Sequence, residues 1–312
     1  MTADAPLRVG EEVRDALEAG RGVVALETSV IGQGLPHPRN EECVRRMSEA
    51  IRTAGAVPAW IGAVDGEVVV GLGAPELARL ADPAGGATKV TRRDLPMAVA
   101  GRTLGATTVG ATIWAASRAG IEFGATGGIG GVHPSPEPGA ILGARGLDVS
   151  ADLLELARTP GLLVCSGPKS IVDPVATAER LEELGVAVVG YGVDRLPFFL
   201  AREAPVDLEH RVGSPAEAAA IAHAARDLEV RSTFLLCNPV PADAAMDADE
   251  VAAAVAEAER RAGLQGARGA ARTPFLLAAL ADITGGRSLD ANLALLEDNA
   301  RVAGLIAAAM AA

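Results

Sequence analysis

An α/β fold, with three α/β/α layers around a central mixed, mostly parallel sheet, follows from two features of the 312-residue sequence. Short Val/Ile/Leu-rich runs alternate with Ala-rich stretches of helical periodicity, the signature of strand–helix–strand units. Most apolar runs also end in polar or glycine-rich turns, the places where an open α/β sheet collects its ligands. At 49% hydrophobic residues the chain can bury a sizeable core. No internal repeat or linker interrupts the pattern, so residues 1–312 read as one domain.

The elements follow in order. GVVALETSVIG reads as a first strand, and NEECVRRMSEAIRTAG as a helix that stops at Gly55. AVPAWIGAVDGEVVVGLG is a hairpin around Asp65-Gly66, a dipeptide that favours a tight turn. LPMAVAGRTLG is a short helix, ATTVGATI a strand, IWAASRAG a helix, and IEFGATGGIGG a strand running into a glycine-rich turn. SADLLELART, LLVCSGPKS, DPVATAERLEELG and VAVVGYG continue the alternation. TFLLCNPVP is a late strand before two long helices, DADEVAAAVAEAERRAG and LDANLALLEDNARVAGLIAAAM. The segment from Pro134 to Gly146, rich in Pro and Gly, reads either as a mobile loop over a site or as a plain surface loop.

Composition excludes several classes of function. A net charge of −12 opposes binding to nucleic acid polymers, and one Tyr, two Trp and five Phe are too few for stacking many bases. No apolar run reaches membrane-spanning length. The start MTADAPLRVGEEVRDAL is acidic and lacks a secretory pattern, so a cytoplasmic location is expected. Cys43, Cys165 and Cys237 are dispersed and odd in number, which points to buried thiols rather than a disulfide framework or a zinc site.

Only two of the 28 cationic side chains are lysines, Lys89 and Lys169. Arg is permanently protonated, whereas a desolvated Lys can act as an amine nucleophile, so a lysine that survives among arginines marks a position to examine. Lys169 follows an apolar strand and precedes a helix, a place where the neutral amine is favoured and an imine with a sugar aldehyde becomes accessible. Lys89, in TKVTRRD beside Arg92 and Arg93, reads as a phosphate clamp. Glu27, at the end of VVAL, is either a general acid–base or a structural capping carboxylate. The glycines of GATGGIGGVH offer backbone N–H groups as an anion nest, while His133 reads as structural. Ser150 is a helix N-cap with Asp152 in the first turn. Asp148 is a lone carboxylate suited to a hard divalent cation held mostly through waters. Asn292 lies within a helix, turned either to a substrate or to solvent.

Taken in order, VVALETSVIGQGLPHPRN, TKVTRRDLP, GATTVGATI, FGATGGIGGVH, DVSADLLELA, CSGPKSIVD, NPVP and TPFLLAALADITGGRSLDANLALLEDNA resemble the motifs of the pseudouridine-5′-phosphate glycosidase family, also called indigoidine synthase A-like. The resemblance covers nearly the whole chain. It implies reversible scission of the C–C bond between ribose 5-phosphate and uracil, with Glu27 as proton donor and Lys169 as nucleophile. It further implies substrate contacts from Lys89, Val109, Ser150, Ala151, Asp152 and Asn292, a Mn²⁺ ion at Asp148, and a homotrimer. The expected partner is a small phosphorylated sugar or nucleotide. Departures from the usual pattern fall at Thr28-Ser29, at Gly32-Gln33-Gly34 where Ser-His-Gly is common, at Pro168 and at Asp298. Some relatives run the reaction toward synthesis on an aromatic polyketide, as in alnumycin formation, which is the main alternative. A lysine-dependent aldolase and a non-catalytic sugar-phosphate-binding protein are the readings from outside this chemistry.

Overall fold

The computed structural model describes residues 7–134, 148–267 and 272–311. In chain order the elements begin with β1 (Leu7–Val9), α1 (Glu11–Glu18), β2 (Val23–Glu27), α2 (Arg39–Thr53), β3 (Val57–Val64), β4 (Glu67–Val70) and α3 (Ala74–Ala81). They continue with β5 (Thr88–Val90), α4 (Leu95–Ala100), β6 (Gly105–Thr107), α5 (Val109–Arg118), β7 (Phe123–Ala125), α6 (Ala151–Leu156) and β8 (Gly161–Cys165). The remainder is α7 (Pro174–Glu183), β9 (Val188–Tyr191), β10 (His210–Val212), α8 (Pro215–Asp227), β11 (Thr233–Cys237), α9 (Ala248–Gln265), α10 (Arg272–Ile283) and α11 (Arg287–Ala311).

The strands form one sheet in the order β1-β4-β3-β2-β7-β8-β11-β9-β10, with the β5–β6 pair joined to it through β3. Only β3–β4 and β3–β6 run antiparallel, as the expected mixed, mostly parallel sheet requires. Alternate residues of β2 face opposite layers: Val24 and Leu26 pack with α2, α8 and α11, whereas Val23 and Ala25 pack with α1, α4 and α5. Strands covered on both faces read as unbroken apolar runs, which explains VVAL and LLVC. Helices α6 and α7 extend the second layer. Helices α9 and α10 pack on each other and on Ile171 and Val172, beside the Lys169 loop.

The hairpin at Asp65-Gly66 is present, with φ of 53° and 94° at the two residues, the left-handed conformations that a tight two-residue turn demands. ATTVGATI is not a strand. Only Gly105–Thr107 is extended, and Val109 opens α5 after Thr108 takes an extended N-cap conformation. Its β-branched residues suggest a strand, but α5 lies between the sheet and α6, buried at nearly every position from Val109 to Ala116. Tertiary burial here outweighs local propensity. Of the segment from Pro134 to Gly146, all but Pro134 lies outside the described residues. Cys43, Cys165 and Cys237 are buried free thiols, as expected.

The joint that positions the site lies in β3. Residues Val57 to Ile61 pair with β2, and Gly62 and Ala63 then pair with β6. At the changeover the Ile61 carbonyl accepts hydroxyl hydrogen bonds from Thr28 and Thr107, both 2.6 Å. The Thr107 amide donates to the Thr28 hydroxyl at 2.9 Å, and the Thr107 hydroxyl also lies 2.9 Å from that of Thr112. Thr107→Val removes the hydroxyl that bonds to Ile61, Thr112 and Thr28 and should destabilise the protein by about 1–3 kcal/mol in denaturant unfolding; unchanged stability would show that this joint does not matter.

Candidate active site

Strands β2, β7, β8 and β11 are parallel, so their carboxyl ends open on one edge of the sheet. That edge delivers Glu27 from β2, the Gly127-Gly128 turn after β7, and Lys169 after β8. All of these line one pocket, together with Lys89 and Asn292. Glu27 is 5% exposed. The Ser29 hydroxyl donates to one of its carboxylate oxygens at 2.5 Å, and the Thr126 hydroxyl donates to the other. Both oxygens are thereby fixed in direction, which suits a carboxylate that must deliver and recover a proton at one place. These bonds also account for Thr28-Ser29: Thr28 belongs to the joint with β3, and Ser29 holds the carboxylate.

Lys169 owes its position to a sharp turn. Gly167 has φ 75°, and a Cβ there would collide with the Pro197 carbonyl oxygen, so only glycine fits. Pro168 forms a bridge beside Ile129, and the Lys169 amide donates to the Ile129 carbonyl at 3.0 Å. The glycine-rich turn and the lysine loop therefore hold one another. Asn299, fully buried in α11, reinforces them: its side-chain amide donates to the Thr126 carbonyl at 2.8 Å, and its oxygen accepts from Asn238 at 3.0 Å. Asp298 accepts from Asn238 at 2.8 Å as well, so this departure from the usual pattern sits beneath the pocket as a support.

Lys89 reaches the same pocket from β5. Burial pushes its ammonium below the usual lysine range, and the neighbouring Lys169 adds to the effect, while Asp152, Glu27 and Asp148 oppose it. Arg92 and Arg93 do not join it. Arg92 pairs with Glu155 at 2.6 Å and lies over Trp114 at 5.9 Å, and the Arg93 side chain is 84% exposed. The cluster read from TKVTRRD is thus a single pocket lysine beside two outward arginines, because a strand followed by a 3₁₀ turn sends its side chains in different directions.

The other predicted residues gather where the N-termini of α5 and α6 meet. Val109 is the first residue of α5 and Ala151 the first of α6. The Ser150 hydroxyl accepts from the Asp152 amide at 3.2 Å, the expected N-cap. Asp152 does more than occupy a first turn, since its carboxylate accepts from the amides of Gly110 at 2.9 Å and Gly130 at 3.4 Å. The amides of Thr126 and Ile129 are also engaged, with the carbonyls of Val164 and Gly167. The glycine run is therefore a tied turn rather than a single open nest, and Gly127 and Gly128 are the part facing the pocket. The hydroxyl of Thr108, which is 6% exposed, is buried without a partner among the described residues.

Asp148 is exposed and its carbonyl accepts from the His133 amide at 2.9 Å. Among the described residues no group of three His, Cys, Asp or Glu converges on a metal position. Of the described residues here, Asp148 offers one exposed carboxylate, which would leave most positions around a hard cation to water. Sequence reading missed Thr126, Asn238, Asn299 and Thr108. The first three act through contacts distant in sequence, and Thr108 was hidden by the strand reading of ATTVGATI.

A family model described as "Indigoidine synthase A like protein" matches residues 12–309. A pseudouridine-5′-phosphate glycosidase of Symbiobacterium thermophilum is 46% identical over 96% of each chain, and one of Myxococcus xanthus is 47% identical over 98% of each. Among solved structures, prealnumycin C-glycosynthase AlnA in complex with ribulose 5-phosphate superposes with a TM-score of 0.87 at 40% identity, covering 99% of this chain and 98% of that one. An indigoidine synthase A-like protein from Thermotoga maritima gives 0.88 at 36%, covering 100% and 99%. With the α/β/α layers and the carboxyl-edge pocket in place, these matches show that the chain belongs to the indigoidine synthase A-like family.

Proposed function

We propose that the protein is a pseudouridine-5′-phosphate glycosidase that breaks, reversibly, the C–C bond joining uracil to C1′ of ribose 5-phosphate. The observation that carries this reading is the meeting of Glu27 and Lys169, from strands two places apart in the sheet, in one pocket with Lys89 and Asn292. Relatives named for this activity match at 46–47% identity over nearly their full length. A carbon leaving group cannot be released by protonating a glycosidic heteroatom, so a pair of carboxylates does not suffice and an amine is needed. Glu27 gives a proton to the ring oxygen as the C1′–O4′ bond breaks. The Lys169 amine then bonds to C1′ and loses a proton to Glu27. Its lone pair next forms the C=N bond as the C1′–C5 bond breaks, and Glu27 returns the proton to C5 of the departing uracil. Water hydrolyses the imine, releasing ribose 5-phosphate and the free lysine.

The phosphate lies, on this reading, where α5 and α6 begin. The Val109 and Ala151 amides occupy first helical positions, which lack an intrahelical acceptor, and helix N-termini favour anions. Ser150 and the orphaned Thr108 hydroxyl complete the site, and Asp152, whose amide is taken by the Ser150 cap, supports it by holding the Gly110 and Gly130 amides. Lys89 is adjacent through β5, since the Thr108 amide donates to the Val90 carbonyl at 3.0 Å. Asp148 would hold Mn²⁺ mainly through waters, the ion supplying positive charge beside the phosphate. We place Asn292 against the base, and take the enzyme to be a cytoplasmic homotrimer. Among the described residues no helix is long and apolar enough to cross a membrane.

The likeness to AlnA favours a second reading, a C-glycosynthase joining ribose 5-phosphate to an aromatic acceptor. Incubation with ribose 5-phosphate, uracil and Mn²⁺ should yield pseudouridine 5′-phosphate by mass spectrometry; no C-nucleoside with uracil and a product with phenolic acceptors alone would establish the second reading. Borohydride should trap ribose 5-phosphate on the wild-type protein and not on Lys169→Arg, because a guanidinium cannot form the imine; label retained in the variant would exclude Lys169 as the nucleophile. Lys89 must be protonated to attract phosphate, and its proton is lost at lower pH than that of an ordinary lysine. KM should therefore rise with pH before the usual lysine range is reached. Lys89→Arg should raise KM roughly 10–100-fold, as for a lost charged hydrogen bond, and flatten that pH dependence; an unchanged profile would remove Lys89 from phosphate binding.

A further inference from the structure

Gln33 is a polar residue of the pocket that the mechanism leaves unused. It lies in the π-helical turn Val30–Gly34, directly after the Glu27 strand end. The turn packs against β6 so closely that a Cβ at Gly32 would come within 2.9 Å of the Ala106 Cβ. Glycine at that position lets the Gln33 side chain reach the Ala87 carbonyl, to which its Nε2 donates at 2.9 Å. The bond fixes the amide's orientation, because a flipped amide would set two oxygens face to face. Gln33 Oε1 is consequently the fixed end, buried and without a partner among the described residues, although Gln33 lines the pocket.

Asn292, contributed by α11, is 7% exposed and its Oδ1 is likewise buried without a partner. That oxygen lies over Gly127, where a Cβ would approach it to 3.2 Å. Two residues that line one pocket therefore each carry an orphaned acceptor, among the described residues. A buried acceptor left unpaired is costly, so the group that fills this space brings donors. A sugar hydroxyl can donate or accept and needs no fixed carbonyl opposite it, whereas a ring N–H can only donate. The apolar residues Phe199 and Leu277, which line the same pocket, suit a flat ring.

We infer that Gln33 is a specificity-determining residue whose Oε1 accepts a hydrogen bond from a ring N–H of the departing base, so that the pocket selects a cyclic ureide over a ring lacking that donor. The inference rests on the pseudouridine-5′-phosphate reading above and adds the basis of base choice to it. The test measures kcat/KM for pseudouridine 5′-phosphate and for its N1-methyl and N3-methyl forms, with the wild-type enzyme, Gln33→Met and Gln33→Ala. The wild type should lose at least about tenfold with one methylated form. Gln33→Met should lose a similar factor on the unmodified substrate and show little further loss with that methylated form, and Gln33→Ala should lose the discrimination too. Equal methylation penalties in the wild type and either active variant would overturn the inference, as would a wild type indifferent to both methyl groups. A wild type that cleaves no pseudouridine 5′-phosphate would instead bring down the pseudouridine-5′-phosphate reading and this inference with it.

Discussion

Everything at the pocket depends on the Ile61 carbonyl and the two hydroxyls it accepts. There β3 exchanges its parallel partner β2 for the antiparallel strand β6, and such a change of neighbour would leave the sheet loosely joined at the catalytic edge. Thr28 and Thr107 close the joint from either side. Thr28 immediately follows Glu27, and β6 pairs with β5, which carries Lys89. One small hydrogen-bonded cluster thereby sets a carboxylate and an ammonium from distant parts of the chain into a fixed relation. Preorganisation of this kind lets binding energy at one part of a ligand be used at another.

A second constraint comes from α11. Asn299 is buried in its middle and bonds to the turn after β7 and to Asn238 after β11. The same helix presents Asn292 to the pocket two turns earlier. Packing of α11 against α2 and the sheet therefore fixes two aspects of the site together: the shape of the glycine-rich turn and the acceptor that faces the ligand. A helix can couple them because its side chains are rigidly spaced, which a loop could not ensure.

The two lysines differ in their surroundings. Lys169 stands on a turn forced by Gly167 and Pro168 at the end of a buried strand, close to Glu27. Lys89 is partly buried and sits within the field of Lys169 and of three carboxylates, so its charge is sensitive to what occupies the pocket. A permanently charged guanidinium would have neither an amine's nucleophilicity nor the compactness needed beside another cation, which gives physical meaning to two lysines retained among so many arginines.

Local sequence patterns were enough to specify the layered fold, the hairpin at Asp65-Gly66, the Ser150 cap and the residues Glu27, Lys89, Lys169 and Asn292 that the pocket brings together. These were legible because apolar periodicity, turn chemistry and polar residues at strand ends are local properties of the chain. Tertiary structure alone decided that ATTVGATI becomes a strand end and a buried helix, that Arg92 and Arg93 turn away from Lys89, and that Asp152 ties the glycine run. It alone joined Asn299 to Thr126 and anchored Gln33 on Ala87. Each of these depends on a partner far along the chain, or on burial between layers, and neither is encoded in the spacing of neighbouring residues.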